Sequence, residues 1–327
     1  MIALADAARS STFRLAMRVG PLRVVLLDRQ HRLTALSTGS FLLAAALSLR
    51  EPLFSLFVGA AVLGVPHLIA GVRHQAVRRR LSPVTRACAL ASLGVGLVLV
   101  SGGGGAWTWP VLMALLGAGL IAESRVAWAL PISAVTIGMA ALPGVAMLAL
   151  THLHAVGSLG YAAKAARQRG LTLWPLLAGF GILTGLALVG ALDPLMAQTP
   201  WVPERAFQSI LDEVQLSGFG AGPLWLKRAV FIYALGQSLH YAVWLRLMPE
   251  VDRRTPSSKP FRVQLASLRA DLGGWWWPGV LVSALALLAM LLGQGGARQL
   301  YFALSFFHVG LEAAGLVALH RSPEGSS

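Results

Sequence analysis

The sequence predicts an all-α fold: a polytopic membrane helical bundle of about ten transmembrane helices with both termini cytoplasmic. Three observations lead there. Of 327 residues, 56% are hydrophobic and only 12% charged, against about 25% charged in ordinary soluble domains. Apolar segments recur at 33–49, 52–73, 84–101, 107–123, 126–142, 144–164, 172–193, 228–248, 275–293 and 299–320, most of them near the length that crosses a hydrocarbon layer as a helix. With the N-terminus inside, the inside loops collect 22 of the Lys and Arg residues and the outside loops 5. That asymmetry sets orientation and requires an even number of spans.

Taken in order, residues 1–32 come first as a cytoplasmic amphipathic segment. Phe13, Leu15, Val19 and Leu22 alternate with Arg14, Arg18 and Arg23, the pattern of a basic helix lying on an anionic inner leaflet. The same arginines interrupt any signal-peptide core. Residues 33–320 form a single transmembrane domain, and 321–327 are a tail. Pro143-Gly144 divides two spans, since proline cannot continue the helical ladder. The outer loop 194–227 carries Phe207, Ile210, Leu211 and Val214 at i, i+3, i+4 and i+7, a short amphipathic helix. Residues 249–272 make a basic cytoplasmic loop around Thr255-Pro256-Ser257. Tryptophans at 107, 109, 174, 201, 225 and 275–277 sit near span ends as an interfacial belt.

The net charge of +14 does not imply nucleic acid, because the charges sit in short loops between apolar segments; the expected partner is anionic lipid, with no nucleic acid. The lone cysteine, Cys88, excludes a disulfide framework and any CxxC site. Gly102 to Gly105 follow no strand and precede no Lys-Ser/Thr, so they are a turn and not a phosphate loop.

Imidazoles placed well inside apolar spans are costly unless used. His67, the pair His152 and His154, His240 and His308 occupy four spans, all running from outside to inside in this topology. Counted from the outer ends, their depths differ by only about 10 Å at 1.5 Å per residue, so one shared layer is expected. Imidazoles on facing helices suit iron, copper or zinc. His152 and His154 lie about 200° apart on a helix, so only one of them faces a given ion. His74 shares a face with His67 but stands about 10 Å further along, beside the arginine cluster, and is read as interfacial. His308 and Glu312, at i and i+4, share a face, so Glu312 is either a ligand or a partner that orients the imidazole. Tyr241, next to His240, is a candidate for that outer role, as is His152.

Gly64-Val65-Pro66-His67 and Phe307-His308-Val309-Gly310-Leu311-Glu312 resemble the Gly-x-Pro-His element, and the Phe-His-x-Gly element with its following acid, of the Brp/Blh family of bacterial β-carotene 15,15′-dioxygenases. The two motifs span about a dozen residues. The chain departs from the family at Leu68 to Gly71, where the family places a glycine and an acid, and at Glu312, where it has an aspartate. The resemblance implies iron held by His67 and His308, with His154 and His240 the remaining partners by spacing, in a bacterial inner membrane. On this basis the expected function is a histidine-ligated iron oxygenase, an oxidoreductase acting on a lipophilic polyene such as a carotenoid that reaches the site from the bilayer, with no catalytic residues beyond the metal ligands. Two alternatives stay open: a protein carrying haem b between two histidines and passing electrons, and a transporter or structural subunit without metal.

Overall fold

The computed structural model describes residues 2–52, 55–56, 59–78, 81–102, 105–197, 223–253, 261–273, 276 and 295–321. The fold is all-α, 88% helix with no strand among the described residues. In chain order the helices are α1 (Ile2–Ala16), α2 (Gly20–Leu27), α3 (Arg29–Arg50), α4 (Val65–Val72), α5 (Pro83–Val100), α6 (Thr108–Glu123), α7 (Ala129–Ala141), α8 (Pro143–Arg167), α9 (Trp174–Leu188), α10 (Asp193–Ala197), α11 (Pro223–Ala242), α12 (Met248–Val251), α13 (Phe261–Leu272) and α14 (Gly295–Arg321). The amphipathic helix expected at 207–214 and most of the expected span 275–293 lie outside the described residues.

Local chemistry sets the boundaries. Asp28 caps α3, its carboxylate accepting the His31 N–H at 2.7 Å, and that bond holds the Asp28 carboxyl below its usual range. Ser82 caps α5 by accepting the Thr85 N–H, with Pro83 next, where its missing N–H costs nothing. Leu142 leaves the helical region (φ −127°, ψ 69°) and Pro143 opens α8, so the expected division there is a true break. Gly170 takes φ +66° after α8, which lets the Leu171 N–H return to the Ala166 carbonyl. The segment 52–73 is not one smooth helix: α4 is flanked by π-turns at Gly59–Gly64 and Arg73–Arg78.

Two larger apolar cores and a smaller cluster result. One core joins α3, α8, α9, α11 and the end of α14 through Leu33, Leu159, Leu176, Phe231, Leu235, Trp244 and Leu319; the other joins α6 and α14 through Trp109, Leu112, Met113 and Phe306; the smaller cluster sets Leu81 and Ala89 against Leu311 and Ala314 of α14. α14 packs on α5, α6, α8 and α4, while α11 packs on α3, α8 and α9. The interval between the cores is therefore walled by α4, α8, α11 and α14, the four elements carrying the interior histidines.

Charges gather at the two ends of this frame. At one end Arg32 and Arg253 meet Glu250 (2.8 and 3.0 Å), His74 and Arg169 meet Asp252 (2.8 and 2.9 Å), and Arg73 meets Asp271 (2.5 Å). At the other, Arg228 holds Asp193 at 2.6 Å and keeps its carboxyl below the usual carboxylate range. His240 lies about 18 Å along α11 from Arg228 and about 15 Å before Glu250, near the middle.

Among the described residues one helix, α3 (22 residues), is both long and apolar enough to cross a membrane; Pro83–Leu99, Thr108–Glu123, Val126–Ala141, Trp174–Leu188 and Ala303–Leu319 are shorter apolar helices. α8 and α14 are long enough, with 25 and 27 residues. Their polar side chains lower their hydropathy, and those include the ones that face inward below.

Candidate metal centre

The site begins with a break in α4's ladder. A π-turn runs to Gly64, and Pro66 has no N–H to give. One residue on, His67 Nδ1 lies 3.2 Å from the Leu63 carbonyl. In the neutral ring an Nδ1 that donates to this carbonyl leaves Nε2 its lone pair, the arrangement found behind metal-bound histidines.

His67's ring touches those of His308 (centroids 4.8 Å), His240 (4.9 Å) and Tyr241 (4.7 Å). His154 lies against His240 at 4.1 Å and His308 at 5.4 Å. Glu312 joins His154, His308 and His240. Its Oε2 is 2.8 Å from His154 Nδ1, and its Oε1 is 2.9 Å from His308 Nε2 and 3.8 Å from His240 Nε2. One ligand atom from each of His154, His240, His308 and Glu312 falls within a mutual 4.8 Å. Donors bound at about 2.0–2.2 Å to one ion stand somewhat closer than that, so a small contraction would close the set.

Proximity is not hydrogen bonding here. His154 Nδ1, both nitrogens of His240, both of His308 and both oxygens of Glu312 are buried without a hydrogen bond of regular geometry. Each such atom left bare costs about 1–3 kcal/mol. Polar atoms this close to one another, buried and without hydrogen-bond partners, form a group that could hold a metal ion. A cation among them satisfies several at once.

The structure thus separates the sequence candidates. Of the two neighbouring histidines, His154 turns inward, while His152 lies 5.6 Å from the Tyr233 ring. Glu312 is one of the four mutually close donors. His67 is packed against that group by its ring without belonging to the set of four, and Tyr241 backs His67. His74 is buried but sits in the ionic layer, 5.8 Å from the rings of Tyr161 and Trp244.

Sequence inspection passed over three residues. Gly71, one turn beyond His67, allows the close approach of α4 to α14: a Cβ there would overlap the His308 ring, 2.8 Å from Nδ1. Gln75, another turn on, is fully buried with its carboxamide in the notch left by Gly315. Trp244 lies 6.1 Å from His308. The first two were discoverable, since 67, 71 and 75 repeat at i+4 and mark one face of a helix.

Comparison with protein-family models, curated proteins and solved structures finds no match. What the fold and site define is a class: an all-helical protein in which three histidines and a glutamate form a buried group able to hold a metal ion.

Proposed function

We propose that the chain is a multi-pass protein of the bacterial inner membrane that holds a non-haem iron ion and acts as an oxygenase on a lipophilic polyene such as a carotenoid. The observation that carries it is the convergence of His154, His240, His308 and Glu312, from three helices, with their ligand atoms otherwise unbonded. A set of three imidazoles and one carboxylate suits iron and leaves positions of an octahedron open. The motifs at His67 and His308 support the oxygenase class.

The membrane assignment draws support from the surface. Val126, Leu130, Val189 and Ile137 are 92, 80, 78 and 69% exposed, and α7 and α9 are apolar on all faces, as suits lipid contact. Ion pairs join helix ends that this topology puts on one side: Arg32 with Glu250, His74 and Arg169 with Asp252, and Arg73 with Asp271. The basic face of α1 and α2 then lies against anionic lipid.

Bound iron would supply O2 activation. The chain's own residues do the rest. His154, His240, His308 and Glu312 hold the ion, and His67, oriented by Leu63, stands beside them. The two apolar cores exclude water. Packing supports a bare ion over haem, since rings 4.1–5.5 Å apart leave no slot for a porphyrin between facing histidines. Elemental analysis and an absorption spectrum of the detergent-purified protein test this. The expected result is one iron per chain without a Soret band. A folded preparation with no stoichiometric metal, or one with a haem spectrum, overturns it.

A further inference from the structure

Beside the metal group runs a groove that the ligands do not use. Its volume is about 290 Å³, and its walls are α6 (Met113 to Leu120), the stretch from Trp128 to Met139, Leu150 of α8, and Val309, Gly310 and Ala313 of α14. Among these residues only Thr136 carries a hydroxyl, and it bonds back to the Ile132 and Ser133 carbonyls at 3.0 Å each. The groove therefore presents hydrocarbon throughout.

Its proportions narrow the occupant. The wall from Trp128 to Met139 is about 16 Å long at 1.5 Å per residue. Spread over that length, even the whole empty space of about 770 Å³ leaves a cross-section of roughly 48 Å², room for an extended hydrocarbon chain and well below the section of a helix of 10–12 Å diameter. A partner helix does not seat in it. The rim is formed by Trp128 and Val135, 60 and 61% exposed, so the groove opens sideways. The inner wall shares two helices with the metal group: Leu150 precedes His154 by one turn of α8 on the same face, and Val309 and Ala313 are the next residues after His308 and Glu312 on α14.

We propose that this groove seats a single extended hydrocarbon chain, the tail of a lipophilic substrate admitted sideways past α7, and brings it within a helical turn of His154 and His308. The assignment of the tail to a substrate rests on the function proposed above; the seat itself does not.

The test uses the full-length protein in detergent with cis-parinaric acid, a conjugated fatty acid that fluoresces in apolar surroundings and accepts energy from tryptophan. Saturable binding of one probe per chain is expected, with transfer reduced in Trp128→Phe. Ala313→Phe and Ile132→Trp, which fill the groove from opposite walls, are expected to weaken binding about tenfold or more while metal content stays at the wild-type level. Glu312→Gln is expected to keep the probe and lose the metal. Non-saturable uptake by the wild type, or both filled variants binding within twofold of it, overturns the seat. Lost binding in the filled variants together with an unchanged metal content in Glu312→Gln upholds the seat and overturns the metal centre instead.

Discussion

Replacing Glu312 by Gln preserves shape and removes one charge, and the consequence differs in sign between two explanations of the same contacts. If the carboxylate binds a divalent ion, the variant loses a strong attraction. Even a pair of unit charges 4 Å apart is worth about 4 kcal/mol at an effective dielectric of 20. A divalent ion in direct contact exceeds that, so affinity should fall by at least about three orders of magnitude. Without metal the variant should be no less stable than the wild type, because a buried carboxylate whose oxygens make no hydrogen bond is itself a cost. If Glu312 instead forms ordinary ion pairs with His154 and His308, removing it strands buried charge and destabilises the fold by about 3–5 kcal/mol with or without metal. Thermal unfolding of both proteins, each with and without a chelator, alongside metal analysis, separates the two. A large loss of stability in the chelated state, with no change in metal content, would refute the metal assignment.

His240→Ala and His308→Ala should each sharply lower bound metal, whereas His74→Ala, whose partners are Asp252, Tyr161 and Trp244, should leave it unchanged; equal retention in all three counts against the site. Gly71→Ala should help the helix intrinsically by up to about 1 kcal/mol, yet displace His308, so metal affinity should drop about tenfold or more while the apo protein stays folded. Glu250→Gln should cost about 3–5 kcal/mol in chemical denaturation, because Arg32 opposite it is itself buried; a change below 1 kcal/mol would show the ionic layer to be dispensable. A reporter fused at Ser257 should read cytoplasmic and one at Gln198 periplasmic, and the reverse pattern would invert the topology.

What was legible in the sequence followed from periodicity and punctuation. The helix break at Pro143 could be seen because proline acts locally. The convergence of His67, His154, His240 and His308 was readable from residue counts along their apolar segments. Other features were not. Facing across a bundle depends on helix rotation, so choosing between His152 and His154 required the packed α8. Glu312 shares a face with His308 in any helix, but only the approach of α8 and α11 shows its carboxylate meeting three imidazoles. Glu123 closes the apolar segment 107–123, and nothing local marks it as a partner for another helix. It is buried, and it accepts the Ser82 N–H at 2.7 Å and the Thr85 hydroxyl at 2.8 Å, closing the start of α5 against the end of α6. Such a contact spans some 40 residues of sequence and leaves no local pattern.

The position of the metal group also bears on how the fold is held. The core of α3, α8, α9 and α11 reaches α14 through Leu319 near its C-terminal end, whereas around His308 and Glu312 α14 meets α8 and α11 through polar atoms. Left bare, those atoms weaken this part of the joint; bound to one ion, they fasten the middle of α14 to α8 and α11. Hydrophobic area therefore secures the joint only in part, and the ion's binding free energy enters the stability of the assembled bundle directly. Chelation should accordingly loosen α14 against α11 before it unfolds either core. Amide exchange would show this as lost protection around 303–314 and 235–243, with protection retained at 109–116. Uniform loss across all three stretches would mean that the two cores do not behave as separate units.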